Sequence, residues 1–127
     1  GATIINSVLN VTLNLIDHGM SLQQAIAAPR LSVTHAAGPV QCEGGAAFMQ
    51  PRFSVAAQDA LRERGHAGLG DAGTDGCQAT IGSVQAVIID LASGHHGAAD
   101  PRREGTVVQV RPASLNENQA LKPPFSQ

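Results

Sequence analysis

Between Thr80 and Asp90 apolar side chains occupy odd and even positions alike: Ile81, Val84, Ala86, Val87, Ile88 and Ile89. Successive side chains of a strand point to opposite faces, so such a run needs apolar cover on both sides and predicts a central strand. Ser83 and Gln85 interrupt the run, and in a strand covered on both faces each needs a hydrogen-bond partner to anchor it. The cover must come from Ala, Val, Ile and Leu, because the 127 residues include three Phe and neither Trp nor Tyr.

The other segments read as layers for such a sheet. Over residues 3–17, Ile4, Ile5, Val8, Leu9, Leu13 and Ile16 recur at helical spacing, with Val11 and Leu15 widening the stripe. Asn6, Asn10 and Asn14 fall on the other side. This arc predicts a helix sandwiched in a core with its asparagines outward. Gly19 ends it, and His18 suits the negative helix end. Ser21 and Gln24 form a capping-box pattern for a short second helix that Pro29 stops. Strands are expected over 31–35 and 40–43, around a turn at Gly38-Pro39. A third helix over 53–64 starts at Ser54 and ends at Gly65, with Val55, Ala57, Ala60 and Leu61 facing inward. After a loop over 66–77 and the strand over 80–90, Ala92-Ser93-Gly94 closes a hairpin onto 95–99. Asp100-Pro101 breaks that strand, and 106–110 form the last one. Residues 111–127 are a polar, Pro-containing tail. Helices covering strands that pair antiparallel make an α+β layered structure.

Several function classes are excluded. The net charge is −2, Lys122 is the one lysine, and the basic residues cluster only at Arg102-Arg103, which leaves no footprint for nucleic acid. Few aromatics also leave no stacking platform for single strands. No apolar stretch approaches the length of a membrane span. Cys42 and Cys77 lack CxxC spacing, so two free thiols are expected, a disulfide being the alternative. The chemically suggestive pairs have plainer readings. Asp17-His18 lies at a helix end, and His95-His96 would point to opposite faces of a strand, unsuited to one metal ion. Cys77 with His66 lacks a basic neighbour to activate the thiol. Gly68 to Gly76 lacks the Lys-Ser/Thr ending of a phosphate loop and carries Asp71 and Asp75. Asp100-Pro101-Arg102-Arg103 predicts a turn in which Asp100 pairs with an arginine to fix the exit from the sheet. No cofactor or metal is expected.

Three stretches, read in order, carry a resemblance. They are Asn14-Leu-Ile-Asp-His-Gly-Met-Ser-Leu-Gln-Gln-Ala-Ile-Ala-Ala-Pro-Arg30, Gly82-Ser-Val-Gln-Ala-Val-Ile-Ile89 and Gly97-Ala-Ala-Asp-Pro-Arg-Arg103, with the helix ending at Gly65-His66 between the first two. Together they resemble the C-terminal part of the small subunit of γ-glutamyltranspeptidases, over residues 1–110. The resemblance implies part of the αββα sandwich of N-terminal nucleophile hydrolases. In that family a precursor cuts itself, and the new N-terminal Thr attacks the γ-glutamyl amide with its own amine as base.

Gly1-Ala-Thr-Ile-Ile resembles the second glycine of the family's Gly-Gly pair, whose N–H groups hold the oxyanion. Gly1 is therefore a candidate oxyanion-hole amide at a helix start, where an unpaired N–H carries partial positive charge. The nucleophile and the clamp for the substrate's α-carboxylate and α-amine lie upstream in the family, so this chain is expected to be inactive alone. Its partners would be the large subunit and the N-terminal half of the small subunit from the same bacterial precursor, in periplasm or cytoplasm, and the small-molecule γ-glutamyl substrate. Alone, it is expected to self-associate. The alternatives are a cephalosporin-acylase or oxamate-amidohydrolase type of the same scaffold, and a stand-alone α+β module.

Overall fold

The computed structural model describes residues 1–33, 38–46 and 53–109. In chain order these form α1 (Ile4–Ile16), α2 (Leu22–Ala27), β1 (Arg30–Val33), β2 (Val40–Glu43), α3 (Val55–Glu63), β3 (Gln85–Asp90) and β4 (Gly94–Ala99). β1 pairs antiparallel with β2, from Arg30 opposite Glu43 to Val33 opposite Val40. β3 pairs antiparallel with β4, from Gln85 opposite Ala99 to Asp90 opposite Gly94. The expected ends at Thr34-His35 and Val110, and the tail 111–127, lie outside the described residues.

Local signals set the element ends. Gly19 takes φ +61° after α1, and the Met20 N–H reaches back to Asn14 O at 3.0 Å. Ser21 and Gln24 make the full capping box of α2, and Ser54 Oγ accepts from Ala57 N at 3.1 Å to start α3.

α1 is oriented opposite to expectation. Ile5 and Ile16 are 79% and 75% exposed, and Ile4, Val8 and Leu9 also face solvent. The asparagines instead point at the rest of the fold. Asn10 Nδ2 donates to Leu31 O (3.0 Å) while its Oδ1 accepts from Leu31 N (3.2 Å), so one side-chain amide serves β1 as a neighbouring strand would. Asn6 donates to Ser32 Oγ (3.2 Å) and Val33 O (3.1 Å), and Asn14 to Ala25 O (3.2 Å). The physical reason is the accounting of backbone groups: β1 has an edge that β2 does not use, Asn6 and Asn10, a helical turn apart, satisfy it, and Asn14 serves a carbonyl of α2.

The core beneath is small. Val11, Leu22, Ala25, Ile26 and Ala98 pack together, joined by Leu15, Met20, Val84 and Ala86. α2 lies between α1 and the β3–β4 hairpin. The expected central strand is thus shorter and covered on one side among the described residues: Val84 and Ala86 face α2, whereas Val87, Ile88 and Ile89 are exposed. Among the described residues the side chains of Ser83 and Gln85 bond to each other, Gln85 Nε2 to Ser83 Oγ at 2.8 Å, rather than to other segments. Residues 106–109 form no strand. Val107 crosses the face of β4, where a Cβ on Gly97 would come within 2.6 Å of Val107 Cγ1.

A second cluster joins Val40, Cys42, Leu69 and Cys77, with Leu31, Phe53 and Leu61 against it. Gln58, not the expected apolar set, is the buried residue of α3. Its amide donates to Phe53 O (3.0 Å) and Asp75 Oδ1 (3.2 Å) and accepts from Gly76 N (2.8 Å). Arg62 binds the carbonyls of Leu69, Gly70 and Thr74. The glycine-rich loop is therefore folded onto α3 by its own carbonyls. It is tight enough that a Cβ on Gly76 would lie 2.0 Å from Leu69 O.

Replacing Asn10 by Ala strands both polar groups of Leu31 and is expected to cost about 1–3 kcal/mol in urea unfolding. Ile5→Ser, on the exposed stripe, should stay within about 0.5 kcal/mol. The reverse ranking would restore the outward-asparagine orientation.

Candidate functional site

The sequence-derived candidates scatter. Gly1 is exposed at the start of α1, its carbonyl accepting from Ile4 N at 3.2 Å. Thr3 precedes α1 without a side-chain cap, and the first turn has no acidic residue. Beside this start lies a cavity of about 220 Å³ lined by Thr3, Ile4, Ser7, Val8 and residues 82–85. Ser7 Oγ is buried there without a hydrogen-bond partner.

Asp17 and His18 are exposed at the other end of α1. His95 and His96 stand opposite Ile89 and Ile88 in the hairpin. His96 Nε2 meets Ser93 Oγ at 2.9 Å, and Ser93 Oγ donates to Asp90 Oδ2 at 2.6 Å. That hydroxyl, with the Ala92 and Ser93 amides, holds the Asp90 carboxyl below its ordinary value. Among the described residues no three potential metal ligands converge.

Cys42 and Cys77 form a disulfide, with Cα atoms 4.3 Å apart, which overturns the expectation of free thiols and removes the pairing of Cys77 with His66. Their 35-residue separation hides the cause. Glu43 forms an antiparallel bridge with Gln78, and Ala79 N donates to Cys42 O at 2.9 Å, so pairing of 77–79 with β2 sets the sulfurs side by side. Closing such a loop contributes about 3–4 kcal/mol by restricting the unfolded chain.

The strongest concentration of charge is a sealed network at the bottom of the two sheets. Pro29 ends α2 and delivers Arg30, whose Nη2 lies 2.7 Å from Glu43 Oε2 and 2.8 Å from Asp100 Oδ2. The Arg30 and Asp100 side chains are both 0% exposed. Arg102 Nε bonds Asp100 Oδ1 at 3.0 Å and its Nη1 reaches Ala28 O and Gly44 O, each at 3.0 Å. Arg103 binds the second oxygen of Glu43. Burial pushes the Asp100 carboxyl up, but hydrogen bonds from Arg102 and the charges of Arg30 and Arg102 outweigh it and hold it below the ordinary value. The expected role of Asp100 in fixing the exit from the sheet fits this network. Glu43, at the end of an unremarkable strand, had no signal in sequence.

Two outcomes are measurable here. Thiol titration in denaturant should find no reactive thiol before reduction and both after; two before reduction would mean the disulfide does not form. Because the Asp100 pKa is lowered on folding, its contribution to stability is complete above about pH 4–5, the ordinary carboxylate range, and vanishes as pH falls through the lowered value. Asp100→Asn should therefore flatten the acid side of the stability profile, and an unchanged slope would contradict the ion pairing.

Comparison with known proteins places these features in context. A family model described as gamma-glutamyltranspeptidase matches residues 1–110. The Acylase ACY 1 proenzyme of Pseudomonas sp. (strain SE83) is 33% identical over 107 residues, covering 84% of this chain and 16% of the acylase. Among solved structures, a point mutant of Helicobacter pylori gamma-glutamyltranspeptidase superposes with TM-score 0.60 at 26% identity, covering 81% of this chain and 50% of that one. Gamma-glutamyltranspeptidase from Pseudomonas nitroreducens complexed with L-DON gives TM-score 0.62 at 26% identity, covering 87% and 52%. The chain thus spans about half the length of these solved relatives and a smaller share of the acylase.

Proposed function

Because the chain belongs to the gamma-glutamyltranspeptidase family, we propose that it is the C-terminal half of the small subunit of an enzyme that cleaves and transfers γ-glutamyl groups from glutathione-type amides. Its fold is that of the N-terminal nucleophile hydrolases, seen here as two antiparallel hairpins with helices against them. The family match across residues 1–110 carries the reading. The geometry of α1 supports it: an uncapped helix start preceded by glycine is a fitting place for a donor to a developing oxyanion.

In this reading the upstream part of the precursor supplies the N-terminal Thr, which attacks the amide carbonyl with its own amine taking the proton. Gly1 N–H stabilises the tetrahedral oxyanion, the amine leaves, and water or an amino acid takes the acyl group from Thr. The upstream part also covers the exposed stripe of Ile4, Ile5, Val8, Leu9 and Ile16 and the outer side of Val87 and Ile89. Without it, the same surface drives self-association. The Cys42–Cys77 disulfide favours an oxidising compartment such as the periplasm over the cytoplasm. The acylase relative supports a second reading, in which the amide carries a different acyl group.

The purified chain should not turn over a chromogenic γ-glutamyl anilide, and the chain joined by a peptide bond to a Thr-headed upstream segment should give turnover. Activity of the chain alone that survives repurification would overturn the fragment reading. A preference of the assembled enzyme for an acyl amide lacking the α-amino and α-carboxyl groups would decide for the acylase reading.

A further inference from the structure

Glu43 takes part in no chemical step proposed above, yet it is buried and spoken for in three directions. Its Oε2 accepts from Arg30 Nη2 (2.7 Å) and from the Ile81 amide (3.1 Å), and its Oε1 from Arg103. Around it, β2 holds residues 77–81 by other means: the Glu43–Gln78 bridge, the Ala79 N–H to Cys42 O bond and the Cys42–Cys77 disulfide. Ile81, the last residue so held, is fully buried. The next residue, Gly82, turns at φ +60° beside the start and first turn of α1, where a Cβ would be at ordinary contact distance, 3.5 Å, from both Thr3 Oγ1 and Ser7 Oγ.

The segment that Glu43 holds therefore runs through Ile81 to Gly82, which lies beside the helix start that carries Gly1, across the small cavity lined by both. The hold is stiff. The carboxylate is oriented by two guanidinium groups, and its bond to Ile81 N–H is charge-assisted, which fixes where Gly82 enters beside α1. We infer that Glu43 is a positioning residue for the oxyanion donor, setting the place of the first turn of α1 through the Ile81–Gly82 segment. The inference rests on the proposed role of the Gly1 amide. Preorganised donors lose much of their effect when displaced by about 1 Å, so a loosened support should appear in kcat rather than in substrate binding.

The test uses the assembled enzyme, this chain with its upstream half, and a γ-glutamyl anilide. Glu43→Ala should lower kcat about 10- to 100-fold and leave KM within about twofold. Glu43→Gln keeps a carbonyl oxygen for the Ile81 amide and should recover most of the loss. Hydrogen exchange gives a readout independent of turnover: in Glu43→Ala the amides of residues 81–83 and of the first turn of α1 should exchange faster, those of α3 unchanged. Gly1→Pro, which removes the amide proton, separates the two ideas. If it leaves kcat intact, the oxyanion assignment falls, and the kcat part of the inference with it. If it abolishes turnover while Glu43→Ala alters neither kcat nor exchange at α1, the positioning role alone is overturned. Globally faster exchange with no rescue by Glu43→Gln would also overturn it, as ordinary loss of folding.

Discussion

The fold hangs on the Arg30 guanidinium. Two carboxylates, Glu43 from the end of β2 and Asp100 from the end of β4, meet its Nη2 at 2.7 and 2.8 Å, and both stay tied because Arg103 and Arg102 bind their remaining oxygens. Among the described residues the two hairpins share no ladder bond, and this network and α2 relate them. Removing one partner from a buried pair leaves an uncompensated charge and typically costs about 3–5 kcal/mol, whereas the intact pair is close to neutral against an apolar substitute. The network is thus better understood as specifying geometry than as adding stability. Arginine suits it because a planar fork can serve a carboxylate and still have donors to spare: Arg102 binds Asp100 and also the carbonyls of Ile26, Ala28 and Gly44.

What could be read from sequence was what local chemistry decides. The α2 capping box, the Ser54 cap, the Gly19 and Gly65 helix ends and the hairpin turn before Gly94 follow from residues within one turn of each other. The misreadings were all of tertiary origin. Periodicity showed correctly that α1 has two unlike faces, but it does not say which face meets this chain. The open edge of β1 decided that in favour of the asparagines. The disulfide was hidden because a bridge between β2 and residue 78 leaves no mark in cysteine spacing. Glu43 reads as one acidic residue among ten Asp and Glu until folding sets it between Arg30 and Arg103. Of the candidate site, Gly1 was legible through family resemblance alone, since a residue without a side chain carries no chemical pattern of its own.

The inverted α1 and the half-covered β3 share one cause. A chain with charge buried at its centre and Ile5, Ile16, Val87 and Ile89 outside is inverted relative to an ordinary small domain, where the apolar groups leave water first. Its buried apolar residues are mostly small, Ala25, Ala27, Ala28 and Ala98 among them, so helix and sheet approach closely but bury little area. Asparagine bonds, arginine forks and a disulfide do the joining that a larger core does elsewhere.

That division of labour bears on the role proposed for Gly1. An oxyanion donor is useful when it is already in place, and a surface resting on polar bonds of fixed direction is held more closely than one resting on apolar contacts alone. On one side, α1 is fastened to β1 and α2 by Asn6, Asn10 and Asn14, and its first turn lies beside the segment that Glu43 anchors at Ile81. On the other, its apolar stripe is open to receive a partner surface. Apolar burial supplies affinity without direction, whereas the hydrogen bonds supply direction with little net free energy. On the proposed reading, a helix built this way takes its orientation from one half of the enzyme and its attachment from the other, so that docking of the second half need not move the Gly1 amide.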